Sequence, residues 1–172
     1  MSDQPTISKS QLLESLSTTG ADLLAKLQEL PAEAFEAGCY ENGWNGRQVL
    51  AHVTAIEWTY PKLIDLARSG PPEKKPEQPV KSKPARGGIN DYNDRSIERY
   101  KDSSVAELLE MFRANRENTI ATVEATEDDI LATEVKSAGG IRGPVSTVLN
   151  YVAVMHVQGH VNDILTAAGT KA

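Results

Sequence analysis

The last third of the chain carries the pattern that constrains it most. Between Pro144 and Ala168, the residues Val145, Val148, Leu149, Val152, Met155, His156, His160 and Ile164 recur at three- and four-residue steps. A helix puts residues so spaced on one side, and that side must be buried against other elements. Pro144 suits the first turn of such a helix. Three more segments show the same period. Leu12, Leu13, Leu16, Leu23, Leu24 and Leu27 mark a first helix from Ser8 or Ser10 to Leu30, with a serine as N-cap and Gly20 as a weak spot inside it. Val49, Leu50, Val53, Ile56, Tyr60 and Leu63 or Ile64 mark a second from Asn45 to Arg68, kinked or restarted by Pro61. Leu108, Leu109, Phe112, Ile120 and Val123 mark a third, which starts with a Ser104–Glu107 capping box and runs to Ala125. No strand-like alternation competes with these stripes. The expected fold is all-α, an antiparallel four-helix bundle formed as one domain from 172 residues.

The connections are read from their breakers. Ser69-Gly70-Pro71-Pro72 stops the second helix. From Pro71 to Gly88 the chain holds five prolines and five lysines or arginines, a composition that does not pack. Residues 70–88 are therefore expected to form a long crossover loop, of the kind that often borders a functional site. Ile89 to Tyr100 reads as a short helix capped by Asn90 or Asp91, and Leu131 to Gly143 as a glycine-containing connection. The charged positions of the third helix, Glu110, Arg113, Arg116 and Glu117, are expected to form a solvated face.

The chemistry centres on the histidines. There are three, and none is spare. His156 and His160 stand four residues apart, so a helix stacks both on one face, with roughly 5–6 Å between their Cβ atoms. His52 lies on the edge of the second stripe, three residues after Val49 and four before Ile56. A single such histidine is more often a satisfied core residue than a ligand. Three on inward faces point to one divalent metal with an open position, a common catalytic layout for zinc; imidazole also suits nickel and iron. Val157, Gln158 and Gly159 separate the pair, so no carboxylate is placed as the general base of a metalloprotease helix. Asp163 is a candidate for orienting a ring, and Gln48 and Thr59 are candidates for substrate contact. Arg47 and Arg142 are weaker candidates for pairing with a carboxylate. Cys39 is a candidate fourth ligand of a closed, structural site.

The net charge of −6 repels phosphate backbones, so nucleic acid is not an expected partner. No apolar run reaches the roughly 18 residues of a membrane span. A single cysteine allows no disulfide within the chain, and MSDQPTISKS does not read as a signal peptide. The expected setting is the cytoplasm, the expected partner a small-molecule substrate, and a homodimer is compatible with a bundle of this size.

Taken together, the segment WNGRQVLAHVTAIEW (residues 44–58), the HVQGH of residues 156–160 and the stretch INDYNDRSIERYKDSSVAELLEMFRANRENTIATVEA resemble the DinB-like superfamily, in the branch related to mycothiol-dependent maleylpyruvate isomerase. The resemblance extends from about Ser8 to Ala168. It implies a four-helix bundle with a long crossover between the second and third helices. It also implies a divalent metal, zinc or nickel, held by His52, His156 and His160. Several relatives use a low-molecular-weight thiol as transferred nucleophile or cofactor. Isomerase relatives carry a further C-terminal domain, and the chain ends at Ala172 without one, so the isomerase activity itself is not carried over as an expectation. Two readings follow: a metal-dependent thiol S-transferase or hydrolase, and a non-catalytic bundle that binds or sequesters a small molecule in stress or resistance.

Overall fold

A computed structural model of the chain describes residues 6–40, 43–70 and 88–170, and the side chains of all of these except 88–92. The proline- and lysine-rich stretch expected to form the crossover lies, from 71 to 87, outside the described residues. The chain is all-α apart from one small hairpin. Helix α1 (Lys9–Gln28) is followed by a 3₁₀ turn (Ala32–Glu36), α2 (Gly46–Glu57), α3 (Tyr60–Ser69), α4 (Gly88–Arg99), α5 (Val105–Glu124) and the short α6 (Asp128–Leu131). Strands β1 (Glu134–Lys136) and β2 (Arg142–Pro144) come next, then α7 (Val145–Leu149), a π-turn (Asn150–Met155) and α8 (His156–Ala167).

Local chemistry sets the helix starts. Ser8, Asn45 and Ser104 each close a capping box, with Gln11, Gln48 and Glu107 returning the hydrogen bond. Pro61 does restart the second helix: α2 ends at Glu57 and α3 begins with Pro61 in its first turn. The four long elements form a four-helix bundle in which α1 and the α2–α3 pair each pack against α5 and against the last helix. One cluster of the core gathers Leu23, Leu27, Phe35, Leu50, Phe112, Val157 and Ile164 near the start of α2. A second gathers Leu12, Leu16, Ile64, Val123, Val148 and Leu149 near the hairpin.

Four expectations are corrected. Arg116 is not on a solvated face. It is 3% exposed, and its Nε and Nη2 donate to the two carboxylate oxygens of the fully buried Glu57 at 2.6 and 3.0 Å. Its remaining donors reach the carbonyls of Leu16 (3.0 Å) and Ala153 (2.7 Å). Gly20 is accordingly no weak spot: a Cβ there would stand 2.9 Å from Arg116 Cγ, so the missing side chain makes room for the arginine stem. The connection before the last helix contains an antiparallel hairpin, with Val135 opposite Gly143; its three-residue strands are too short to show alternation. Finally, the last helix is not one regular stripe. The π-turn takes in one extra residue, so Ala153 and Val154 turn inward and Met155, expected in the stripe, is 55% exposed.

Candidate metal centre

The capping box of Asn45 fixes the start of α2, and His52 follows near its middle on the inner face. His156 opens α8 directly after the π-turn, and His160 follows one turn later. The three imidazoles converge: one ring nitrogen from each lies within 4.8 Å of the other two. The His52 and His160 ring centroids are 5.0 Å apart, and those of His156 and His160 are 4.4 Å apart. His52 is 5% exposed, and Trp44 covers its other side at 5.5 Å between centroids.

Burial keeps all three rings neutral. Desolvation, helped by the neighbouring rings, lowers the pKa of His52 from 6.5 to about 3. Desolvation and then His156 lower that of His160 to about 4, although Asp163 opposes the shift. His156 is also lowered by burial, against a hydrogen bond to the Val152 carbonyl. A neutral imidazole is the form that binds a metal.

The tautomers follow from the partners. The Tyr40 hydroxyl lies 2.5 Å from Asp163 Oδ2 and 2.7 Å from His160 Nδ1. A carboxylate only accepts, so Tyr40 gives its one proton to Asp163 and accepts from His160 Nδ1–H. That leaves His160 Nε2 without a proton. His156 turns its own Nε2 toward His160 Nε2 at 3.0 Å, a distance at which the two nitrogens either share the one proton of a hydrogen bond or ligate one cation. Two nitrogens bound to one cation at about 2.0–2.1 Å stand roughly 3 Å apart. The buried Nδ1 of His52 has no hydrogen-bond partner. Spacing, protonation and the unsatisfied nitrogen all fit a divalent cation.

The π-turn positions His156. Its backbone N–H reaches back five residues, to the Tyr151 carbonyl. The Val152 carbonyl instead accepts the Tyr60 hydroxyl at 2.7 Å. Arg116 holds the neighbouring Ala153 carbonyl. The buried ion pair of α5 and α2 thus braces the turn from which the ligand helix begins.

Of the other candidates, Asp163 does orient a ring, but through Tyr40, a loop residue that no periodicity marks. Thr59 lines the adjoining cavity, with its hydroxyl donated to the Ile56 carbonyl at 2.6 Å. Gln48 is spent on the Asn45 cap and does not reach the site. Arg47 donates to the carbonyls of Tyr100 and Ser103, tying α2 to the link between α4 and α5. Arg142 sits on β2 opposite Lys136 and does not line the cavity. Cys39 is outside the ligand cluster; burial and the Asp163 charge push its thiol pKa up, which keeps it protonated. The neighbouring cavity, about 650 Å³, runs from His52 and His156 between α3 and the last helix to the hairpin.

Three converging neutral imidazoles at the edge of a helical bundle, His52 buried and the other two half-buried, define a class of four-helix proteins whose donor set fits a divalent metal. Within that class, a family model described as the mycothiol maleylpyruvate isomerase N-terminal domain matches residues 16–163, and the chain belongs to this family, the isomerase-related branch of the DinB-like superfamily. Two solved structures of a mycothiol-dependent maleylpyruvate isomerase, one a histidine-to-alanine mutant, superpose with a TM-score of 0.70 at 18% identity. They cover 92% of this chain, which spans 61% of the isomerase's length. YfiT from Bacillus subtilis, described as a probable metal-dependent hydrolase with an unusual four-helix bundle topology, also superposes at 0.70, with 14% identity over 98% of this chain and 92% of its own. No curated protein matches the sequence. No helix among the described residues is long and apolar enough to cross a membrane.

Proposed function

We propose that this protein is a divalent-metal-dependent enzyme in which His52, His156 and His160 hold zinc or nickel, and that it transfers a low-molecular-weight thiol, or water, to a small-molecule electrophile. The convergence of the three rings, with two Nε2 atoms facing each other at 3.0 Å, carries the metal part of this reading. The family supports the thiol, since the isomerase relative is mycothiol-dependent; YfiT supports water as the alternative nucleophile. A bound divalent cation supplies Lewis acidity, which makes a coordinated thiol or water nucleophilic at neutral pH.

The chain's own residues supply the setting. Tyr40 and Asp163 fix the His160 tautomer and ring angle. Trp44 shields His52 on one side, and the cavity on the other side gives a small molecule a largely apolar approach to His52 and His156. The same cavity favours a second reading, a non-catalytic protein that binds or sequesters a small molecule.

Elemental analysis of untagged protein beside His156→Ala tests the site. About one equivalent of divalent metal in the wild type and almost none in the variant is the expected result. A folded wild type that stays metal-free when offered zinc or nickel at neutral pH rejects the enzyme reading. Bound metal without turnover of any thiol or ester substrate favours the second reading.

A further inference from the structure

The cavity beside the histidines has a chemistry of its own. Its walls are mostly apolar: Ile56, Leu63, Leu66, Ile141 and Val152 line it, together with the Tyr151 ring. Leu66 and Tyr151 are 45% and 46% exposed, high for large apolar side chains. At about 650 Å³ it lies within the usual range for drug-sized ligands.

Its direction follows from the fold. Chain order on the last helix leads from His156 back through Val152 and Tyr151 to the hairpin. Helix α3, which continues the chain beyond His52, packs on β1. The histidines therefore mark one end of the cavity, and the hairpin turn of Lys136, Ser137, Ala138 and Gly139 marks the other.

The charge is one-sided. Among the described residues no carboxylate lines the cavity, although the chain as a whole carries −6. The charged lining residues among them are Lys62 and Lys136. Lys62 rests its ammonium over the Trp58 ring, 3.5 Å from the centroid, at the rim of the cavity. Lys136 is exposed on β1; Glu134, on the same strand, does not line the cavity. Asn93 of α4 adds an amide. An apolar channel with cationic groups away from the reactive end is complementary to an amphipathic anion.

We infer that this cavity binds a hydrophobic organic acid, with its carboxylate at Lys136 and Lys62, its apolar body along α3 and the last helix, and its far end at His52 and His156. Such a molecule is the electrophilic substrate class of the proposed enzyme, and only the role of the histidine end rests on that reading. The binding itself does not require metal.

The test uses three probes with one body and different heads: 4-phenylbutyrate, 4-phenylbutanol and 4-phenylbutylamine. Each is titrated into isotope-labelled protein by NMR, as wild type with and without chelator, Lys136→Glu and Leu66→Glu. The expected result is that the acid binds roughly five- to tenfold tighter than the alcohol, and the amine weakest, with shifts at Leu63 and Ser137–Gly139. Lys136→Glu removes the preference for the acid, Leu66→Glu weakens all three probes, and chelator leaves the wild type's preference for the acid in place. Equal binding of the three heads, or shifts that avoid the hairpin, overturns the inference. A wild type that takes up no metal and still prefers the acid leaves this inference standing while the metalloenzyme reading fails.

Discussion

Two polar clusters lie inside this bundle, and they are built on opposite terms. In the first, Arg116 and Glu57 are almost wholly buried, and every nitrogen and oxygen of the two side-chain heads has a partner: two bonds join the pair, and two more hold the carbonyls of Leu16 and Ala153. In the second, three imidazoles are kept neutral, two turn their Nε2 atoms to each other at 3.0 Å, and the Nδ1 of His52 has no partner. A buried polar group left unsatisfied is costly. The first cluster is closed within the fold; the second has a donor set that a metal ion would complete.

That contrast is sharpest if one half of the satisfied cluster is removed. Arg116→Ala leaves the Glu57 charge and two carbonyls buried and unpaired, and is expected to destabilise the protein by about 3–5 kcal/mol in urea unfolding. The double variant Glu57→Leu, Arg116→Met is expected to recover much of that loss but not all, because the Leu16 and Ala153 carbonyls stay unpaired. If Arg116→Ala unfolds like the wild type, the cluster is not what braces the bundle.

The second cluster is expected to reveal itself through pH. In chelator, the folded chain holds its histidines neutral, with His52 near 3 and His160 near 4, whereas in the unfolded chain they protonate near the ordinary 6.5. The unfolded state therefore binds more protons below about pH 6.5, and stability falls as pH drops from there toward about 4. His156→Ala removes one of the three groups and should flatten that slope. A urea midpoint independent of pH over this window would show that the rings are not held neutral.

The smallest effect expected is at the hinge between the clusters and the loop. Tyr40→Phe frees the Nδ1 proton of His160 and strands Asp163, and metal affinity should drop about tenfold with little change in fold, as read by competition with a chromogenic chelator. Unchanged affinity would mean that Tyr40 does not set the tautomer.

These contrasts also show what was legible in the sequence. The bundle was, because apolar spacing at 3.6 residues states a helix and its inner face together. The histidines were too, because a four-residue step fixes a shared face wherever the helix lies. Arg116 was not: a charged residue among Glu110, Arg113 and Glu117 has the pattern of a solvated face, and only the gap at Gly20 and the carboxylate of Glu57 turn it inward. Tyr40 was invisible because a loop residue has no period. Met155 was misplaced because a stripe read at constant pitch cannot show where one turn is wider than the rest.

That wider turn has a further meaning. A helix that has gained one residue must either rotate everything beyond it by about 100°, or store the surplus locally. Here the surplus is stored between Asn150 and Met155, so Leu149 before it and Val157 and Val161 after it are all buried. A chain one residue shorter at Tyr151 would keep the same faces in register as an ordinary helix. It would draw the Val152 and Ala153 carbonyls back into the helical ladder, away from Tyr60 and Arg116. In this protein the added length of that turn is what joins the ion pair to the histidines.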